Sequence, residues 1–201
     1  VSFTVAGPSI TKSGTITAFT ACVGTATAAQ TFTVSASGLT ASSTVNLATP
    51  AGFEIATTSG GTYSSSISLA ENAGTVTNTT IYLRLSASAA TGTYSGSISL
   101  TSSGATTQTI TIPASTVNAL PTITGTATTV IGGTSTLSST IAGGTWSSST
   151  TAVATITSLG VVTGVANGTT TITYTTSSGC ATTVSFTVAG PSITKSGTIT
   201  A

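Results

Sequence analysis

Seven side chains hold nearly all the chemistry this chain can offer: Cys22 and Cys180, Glu54 and Glu71, Lys12, Arg84 and Lys195. Histidine, aspartate and methionine are absent. Serine triads, His-based acid–base relays and His or Asp metal sites therefore cannot be assembled. Glu54 and Glu71 are the only candidates for a carboxylate pair. Each lies in or beside an apolar strand or turn, so a solvated or salt-bridged role is expected. The same shortage argues against calcium staples, which need clustered carboxylates. No catalytic, metal or cofactor site is expected, and the chain reads as non-enzymatic. Cys22 and Cys180 leave three readings open: two buried free thiols, a bond from Cys180 to another copy's Cys22 across a junction or between chains, or a direct bridge within one copy. Lys12, with Asn46 or Asn118 and Glu54 or Glu71, supplies the residue types of a self-formed isopeptide, but nothing in the spacing fixes their geometry. Asn78-Thr79-Thr80 and Asn167-Gly168-Thr169 match the glycosylation pattern, which arises easily in a chain so rich in threonine.

The framework that must position these groups begins with a repeat. Val1 to Ala18 reads VSFTVAGPSITKSGTITA, and Val184 to Ala201 repeats those letters without change, at an offset of 184 − 1 = 183. The expectation is one full period of a tandem array plus the opening of the next copy. Lys195 is then the copy of Lys12, so each period carries two positive and two negative charges and an array stays neutral. No Lys or Arg clusters occur to attract nucleic acid or an anionic membrane. Hydrophobic residues make up 38% of the chain, which argues against disorder. No window approaches the roughly 20 apolar residues of a membrane helix. With so few titrating groups, stability should depend little on pH or salt.

Ser, Thr, Gly and Ala dominate, and the apolar residues alternate with polar ones at the period of strands with one buried face. Phe32 and Val34, Val45 and Leu47, Phe53 and Ile55, Ile67 and Leu69, Ile81 with Leu83 and Leu85, Ile98 and Leu100, and Ile110 and Ile112 follow this rule. Turn signals such as Ser37-Gly38, Asn72-Ala73-Gly74 and Ser103-Gly104 separate them. Residues 8–117 therefore read as a β-sandwich. Residues 118–190 read as a smaller, uncharged one, with strands expected over 121–124, 135–141, 144–148, 152–156, 161–165, 169–174 and 182–188. Trp146, the lone tryptophan, is expected to supply much of its core. Residues 1–7 read as the last strand of a preceding repeat, and 191–201 as the start of the next. The linkers at 117–119 and 189–191 are short and favour a stiff rod. Thr-x-Thr runs such as Thr15-Ile16-Thr17 and Thr171-Ile172-Thr173 read as strands whose hydroxyls face solvent.

Two stretches carry a family resemblance. Pro50 to Ile55, Ile81 to Leu85 and Gly92 to Ile98 resemble the PxGFEIS-like, IYVRL-like and GxYSGxI segments of an Ig-like repeat found in very large surface proteins of Bacteroidota. Gly143 to Thr175, GGTWSSSTTAVATITSLGVVTGVANGTTTITYT, resembles the bacterial Ig-like group 2 module. The resemblance implies an all-β fold with two Ig-like β-sandwich domains per 183-residue tandem repeat. It also implies an extracellular, cell-surface setting, with adhesins and gliding among the roles of proteins built this way. Related second modules often carry an early cysteine that could pair with one near the last hairpin; Val130 or Ile131 stands at that place here, while Cys180 remains.

The reading that combines these observations is a structural repeat of a long extracellular filament, stalk or adhesin. Its partners would be neighbouring repeats of the same chain or identical chains, with any surface or glycan ligand left unspecified. Two alternatives stand beside it. One is a carbohydrate- or ice-binding module that uses its hydroxyl-rich strands. The other is a strand-exchange polymer in which Val1–Val5 of one chain replaces Val184–Val188 of another.

Overall fold

The structure, a computed structural model, describes residues 7–190. The expectations for 191–201 and for all but the last of residues 1–7 fall outside the described residues. Seventeen strands and no helix occur within them. The chain divides into two compact units, Val1–Ala119 and Leu120–Ala201, each with its own pair of sheets.

The first unit contains β1 (Ser9–Ser13), β2 (Thr20–Cys22), β3 (Gln30–Ser37), β4 (Thr44–Ala48), β5 (Phe53–Ala56), β6 (Ser66–Ala70), β7 (Val76–Leu85), β8 (Gly92–Thr101) and β9 (Gln108–Asn118). One sheet runs β1-β3-β7-β5 and the other β2-β9-β8-β4-β6. The period-2 pattern decides which side chains face inward. Phe32, Val34, Ile81, Leu83 and Leu85 come from the first sheet, and Val45, Leu47, Ile98, Leu100 and Ile112 from the second; all lie in one core. Burying each such side chain contributes about 1.5–3 kcal/mol before the cost of chain entropy.

The first strand is split between the sheets. β1 pairs antiparallel with β3, and the chain then leaves that sheet at Gly14, whose φ is 117°. A Cβ there would sit 3.1 Å from Cα and Cβ of Phe32, so glycine serves both the turn and the close approach. The crossing segment buries Ile16 and Phe19. It is held by Gln30, whose Oε1 accepts from the Thr17 N–H at 2.8 Å while its Nε2 donates to the Thr17 carbonyl at 3.0 Å. On the far side β2 pairs parallel with β9. Thr15-Ile16-Thr17 is therefore a crossing between sheets and not a strand, correcting the sequence expectation; a buried Ile16 and hydrogen bonds to a side chain replace a ladder.

The second unit contains β10 (Ile123–Gly125), β11 (Thr128–Val130), β12 (Thr134–Ser139), β13 (Thr145–Ser148), β14 (Ala154–Ile156), β15 (Val161–Gly164), β16 (Gly168–Thr175) and β17 (Ala181–Ala189). Its sheets run β10-β12-β15-β14 and β11-β17-β16-β13. The same hop recurs: β10 pairs antiparallel with β12, Gly125 turns with φ 118°, and β11 pairs parallel with β17. A Cβ on Gly125 would lie 2.5 Å from the Thr136 carbonyl oxygen. Leu137, Ala154, Val162, Ile172, Phe186 and Val188 form the core. Trp146 is only partly buried against it, its ring 4.6 Å from that of Tyr174. It is Tyr174 that is buried, with its hydroxyl donating to the Ile141 carbonyl at 2.6 Å and accepting from the Gly144 N–H at 2.8 Å. The expectation that Trp146 fills the centre thus gives way to Phe186 and Ile172, because β13 lies at a sheet edge. Both units are immunoglobulin-like β-sandwiches, and the protein is all-β.

Candidate functional site

Glu54, Arg84 and Glu71 of the first unit are engaged in holding its own fold. Glu54 on β5 faces Arg84 on β7 in the ladder, and Arg84 Nε donates to Glu54 Oε1 at 2.7 Å. The guanidinium also lies 3.7 Å from the ring centroid of Tyr63, so it clips the 57–65 loop to the sheet. The two side chains are 32% and 19% exposed, and a pair so placed contributes on the order of 0.2–1 kcal/mol. Glu71 acts on backbone instead. Its Oε1 accepts from the Ser42 N–H at 2.8 Å and its Oε2 from the Gly74 N–H at 2.6 Å. Ser42 and Ala73, with φ of 66° and 51°, are the non-glycine residues of positive φ among those described. One carboxylate thus secures two turns that their own residue types disfavour.

Glu54 and Glu71 consequently serve different turns and strands and form no pair. The isopeptide set is not assembled either. Asn46 Oδ1 accepts from the hydroxyls of Thr44 and Ser68, and Asn118 Nδ2 donates to the Ala21 carbonyl at 3.3 Å. Lys12 is exposed on β1. It lines an open cleft of about 300 Å³ with Gly14, Ile16, Ile110, Thr111 and Pro113. The hop at Gly14 makes this cleft by drawing the first strand away from its neighbour. With Thr15 also in its lining, it offers one cation, two threonine hydroxyls and apolar walls. Among the described residues no group of three or more His, Cys, Asp or Glu side chains could hold a metal ion, and no helix is long and apolar enough to cross a membrane.

Neither cysteine is a free thiol, which removes the reading of two unpaired thiols. Cys22 ends β2, half-buried, opposite Asn118 in the parallel ladder. Cys180 is 1% exposed, in the turn between β16 and β17. Thr176 fixes that turn, accepting from the Cys180 N–H through Oγ1 and donating the same hydroxyl to the Cys180 carbonyl, both at 3.1 Å. This turn lies at the end of the second unit where the chain comes in, since Tyr174 reaches Ile141 and Thr140 N–H donates to the Thr122 carbonyl. Val130 and Ile131 lie at the opposite end, against Ala189. An early cysteine at their position could not have reached Cys180.

The outer face of the second unit carries hydroxyls in register. Exposed Thr169 and Thr171 on β16 stand opposite Thr187 and Ser185 on β17. Adjacent strands lie about 4.8 Å apart, so this is a chargeless, regularly spaced array. Thr-x-Thr spacing signalled it in the sequence. The Glu71 bolt and the role of Gln30 had no such signal, since Ser42 and Thr17 lie 29 and 13 residues away from them; the Thr176 clamp is local, four residues from Cys180, but Thr-rich sequence does not single it out.

No protein-family model and no curated protein matches the chain. Among solved structures it is similar to a C-terminal 282-residue fragment of intimin in complex with the intimin-binding domain of the translocated intimin receptor. That likeness has 18% identity and a TM-score of 0.42, and covers 89% of this chain and 62% of that one. A two-domain structure, DIP-gamma IG1+IG2, matches at 12% identity and TM-score 0.36, covering 92% and 98% of the two chains. Fibronectin(III)-like modules of Clostridium thermocellum CbhA match at 14% and 0.29, covering 89% and 92%. The chain thus spans less than two thirds of the intimin fragment. The class of the protein is defined by its own topology: two immunoglobulin-like sandwiches.

Proposed function

We propose that the chain is a non-enzymatic structural repeat of a long extracellular filament, stalk or adhesin, built as two sandwiches per 183-residue period. One observation carries this reading. The repeated letters of Val184–Val188 lie within β17, the closing strand of the second sandwich, and the same letters open the chain at Val1–Val5. Eighteen identical residues recurring at an offset of 183 are what tandem copies of one unit produce. The near absence of charge suits a protein that works assembled or tethered, where solubility of a free monomer matters little. Neighbouring copies are its principal partners, and a cell-surface setting follows from the same role. The experiment is cryo-electron microscopy of material shed from the source cells. Thin rods with two beads per period would support the reading; thick helical fibres with lateral chain contacts would replace it with a laterally assembled sheath; absence of any periodic filament would sink it.

We propose further that Cys22 and Cys180 are paired with each other in each copy, in place of a bond to another copy or chain. Cys22 sits beside Asn118, the last residue of β9, and Cys180 sits in the turn at the incoming end of the second sandwich. An intact mass two hydrogens below the reduced value, with no dimer on a non-reducing gel, is the expected result. A disulfide-linked dimer would transfer the bond to neighbouring chains.

A further inference from the structure

Every exposed large hydrophobic residue among those described lies at or after Leu120. Three of them share one end of the second sandwich: Val130, Ile131 and Val165, exposed by 58%, 46% and 48%. The backbone brings them together. Val130 is the ladder partner of Ala189, and the Ile131 N–H donates to the Ala189 carbonyl at 3.2 Å. The Gly132 N–H donates to the Gly164 carbonyl at 2.9 Å, and the Gly164 N–H donates back to Gly133 at 3.0 Å, which places Val165 beside them. These three side chains therefore surround the point where β17 hands the chain on to Gly190. Apolar side chains grouped on a surface without charge have no solvation to gain there and gain from being covered.

We propose that Val130, Ile131 and Val165 are the seat on which the first sandwich of the next copy docks, making the junction between copies an apolar contact. This rests on the tandem-array reading. The occupant follows from the repeat. Ser9 opens β1, and its copy is Ser192, three residues beyond Ala189. Three extended residues span at most about 11 Å, so the next sandwich must begin within reach of the seat. An apolar contact would then guard the junction between copies.

The test uses a chain of two periods, residues 1–183 followed by 1–201, with and without Val130→Thr, Ile131→Thr and Val165→Thr in its first copy. Threonine keeps the branched shape and strand preference while removing apolar surface. The same triple substitution in the 201-residue chain reports whether the second sandwich itself is harmed. Small-angle scattering and calorimetry are read together. The expected result is an extended two-period chain that becomes more compact and more variable on substitution. The melting of its central sandwich should fall by about 5 °C, the scale of a modest lost contact in a small domain. An extended chain unchanged by the substitutions would overturn the seat and leave the array reading intact. So would an equal loss of stability in the 201-residue chain, since the residues would then serve only their own sandwich. Freely hinged scattering from the unsubstituted two-period chain would overturn the seat and the stiff array together.

Discussion

The two sandwiches share a wiring diagram but not a way of filling it. In each, the first strand leaves one sheet at a glycine of φ near 117° and rejoins the other sheet parallel to the last strand. Among the described residues, the first then gathers twenty-three buried apolar residues into its core and the second six. What the second lacks in apolar area it makes up partly in hydroxyls. Thr170 is 4% exposed, and its Oγ1 accepts from the Thr150 N–H at 3.0 Å while bonding the hydroxyls of Ser148 and Ser149. Buried polar groups can hold a fold only when each finds its partner. This topology thus tolerates a large apolar core or a small one bound by hydroxyl–backbone bonds. The second arrangement has less in reserve.

The sharpest way to break the comparison is to remove one large aromatic from each core. Phe186→Ala in the second sandwich and Phe32→Ala in the first should each cost about 3–5 kcal/mol. A domain of the second unit's size has a total stability of roughly 4–10 kcal/mol, so Phe186→Ala should abolish its calorimetric transition near physiological temperature. Phe32→Ala should lower the melting of the first sandwich and leave it folded. Equal outcomes for the two variants would mean that core size does not set the reserve.

A smaller effect sharpens the shared part of the design. Gly14→Ala and Gly125→Ala should both destabilise, by on the order of 1–3 kcal/mol, because both need a positive φ and close approach. Gly125→Ala should be the worse, since its Cβ would meet a carbonyl oxygen at 2.5 Å, whereas at Gly14 the nearest atoms are at 3.1 Å. Denaturant melts of the two variants give the order directly, and a reversed order would refute the steric account.

Strands that alternate were legible from the letters. β3, β4, β5, β7, β8 and β9 bury the residues that alternation marked, and the runs expected over 169–174 and 182–188 are strands β16 and β17. The strands that escaped were β1, β2 and β11. Thr128-Thr129-Val130 has no alternation to read, and its ladder partner lies 59 residues on, at Thr187–Ala189 (187 − 128 = 59). Pairings of that kind are set by the closing of the sandwich, which local sequence does not encode. Trp146 shows the same limit from the other side. Residue type predicted burial, but its place on an edge strand decided the matter. The candidate sites were legible mainly by exclusion, because missing residue types are plain in a sequence and the partners of Glu71 or Cys180 are not.

The parallel pairing of first and last strands has a mechanical meaning. When a chain is pulled from both ends, a parallel terminal pair is drawn in opposite directions along its length. Its hydrogen bonds then stretch together and not one after another. Thr20–Cys22 against Thr116–Asn118, and Thr128–Val130 against Thr187–Ala189, are such pairs. Each sandwich therefore resists tension through a latch loaded in shear, and the force needed to open it exceeds what unzipping the same few bonds would take.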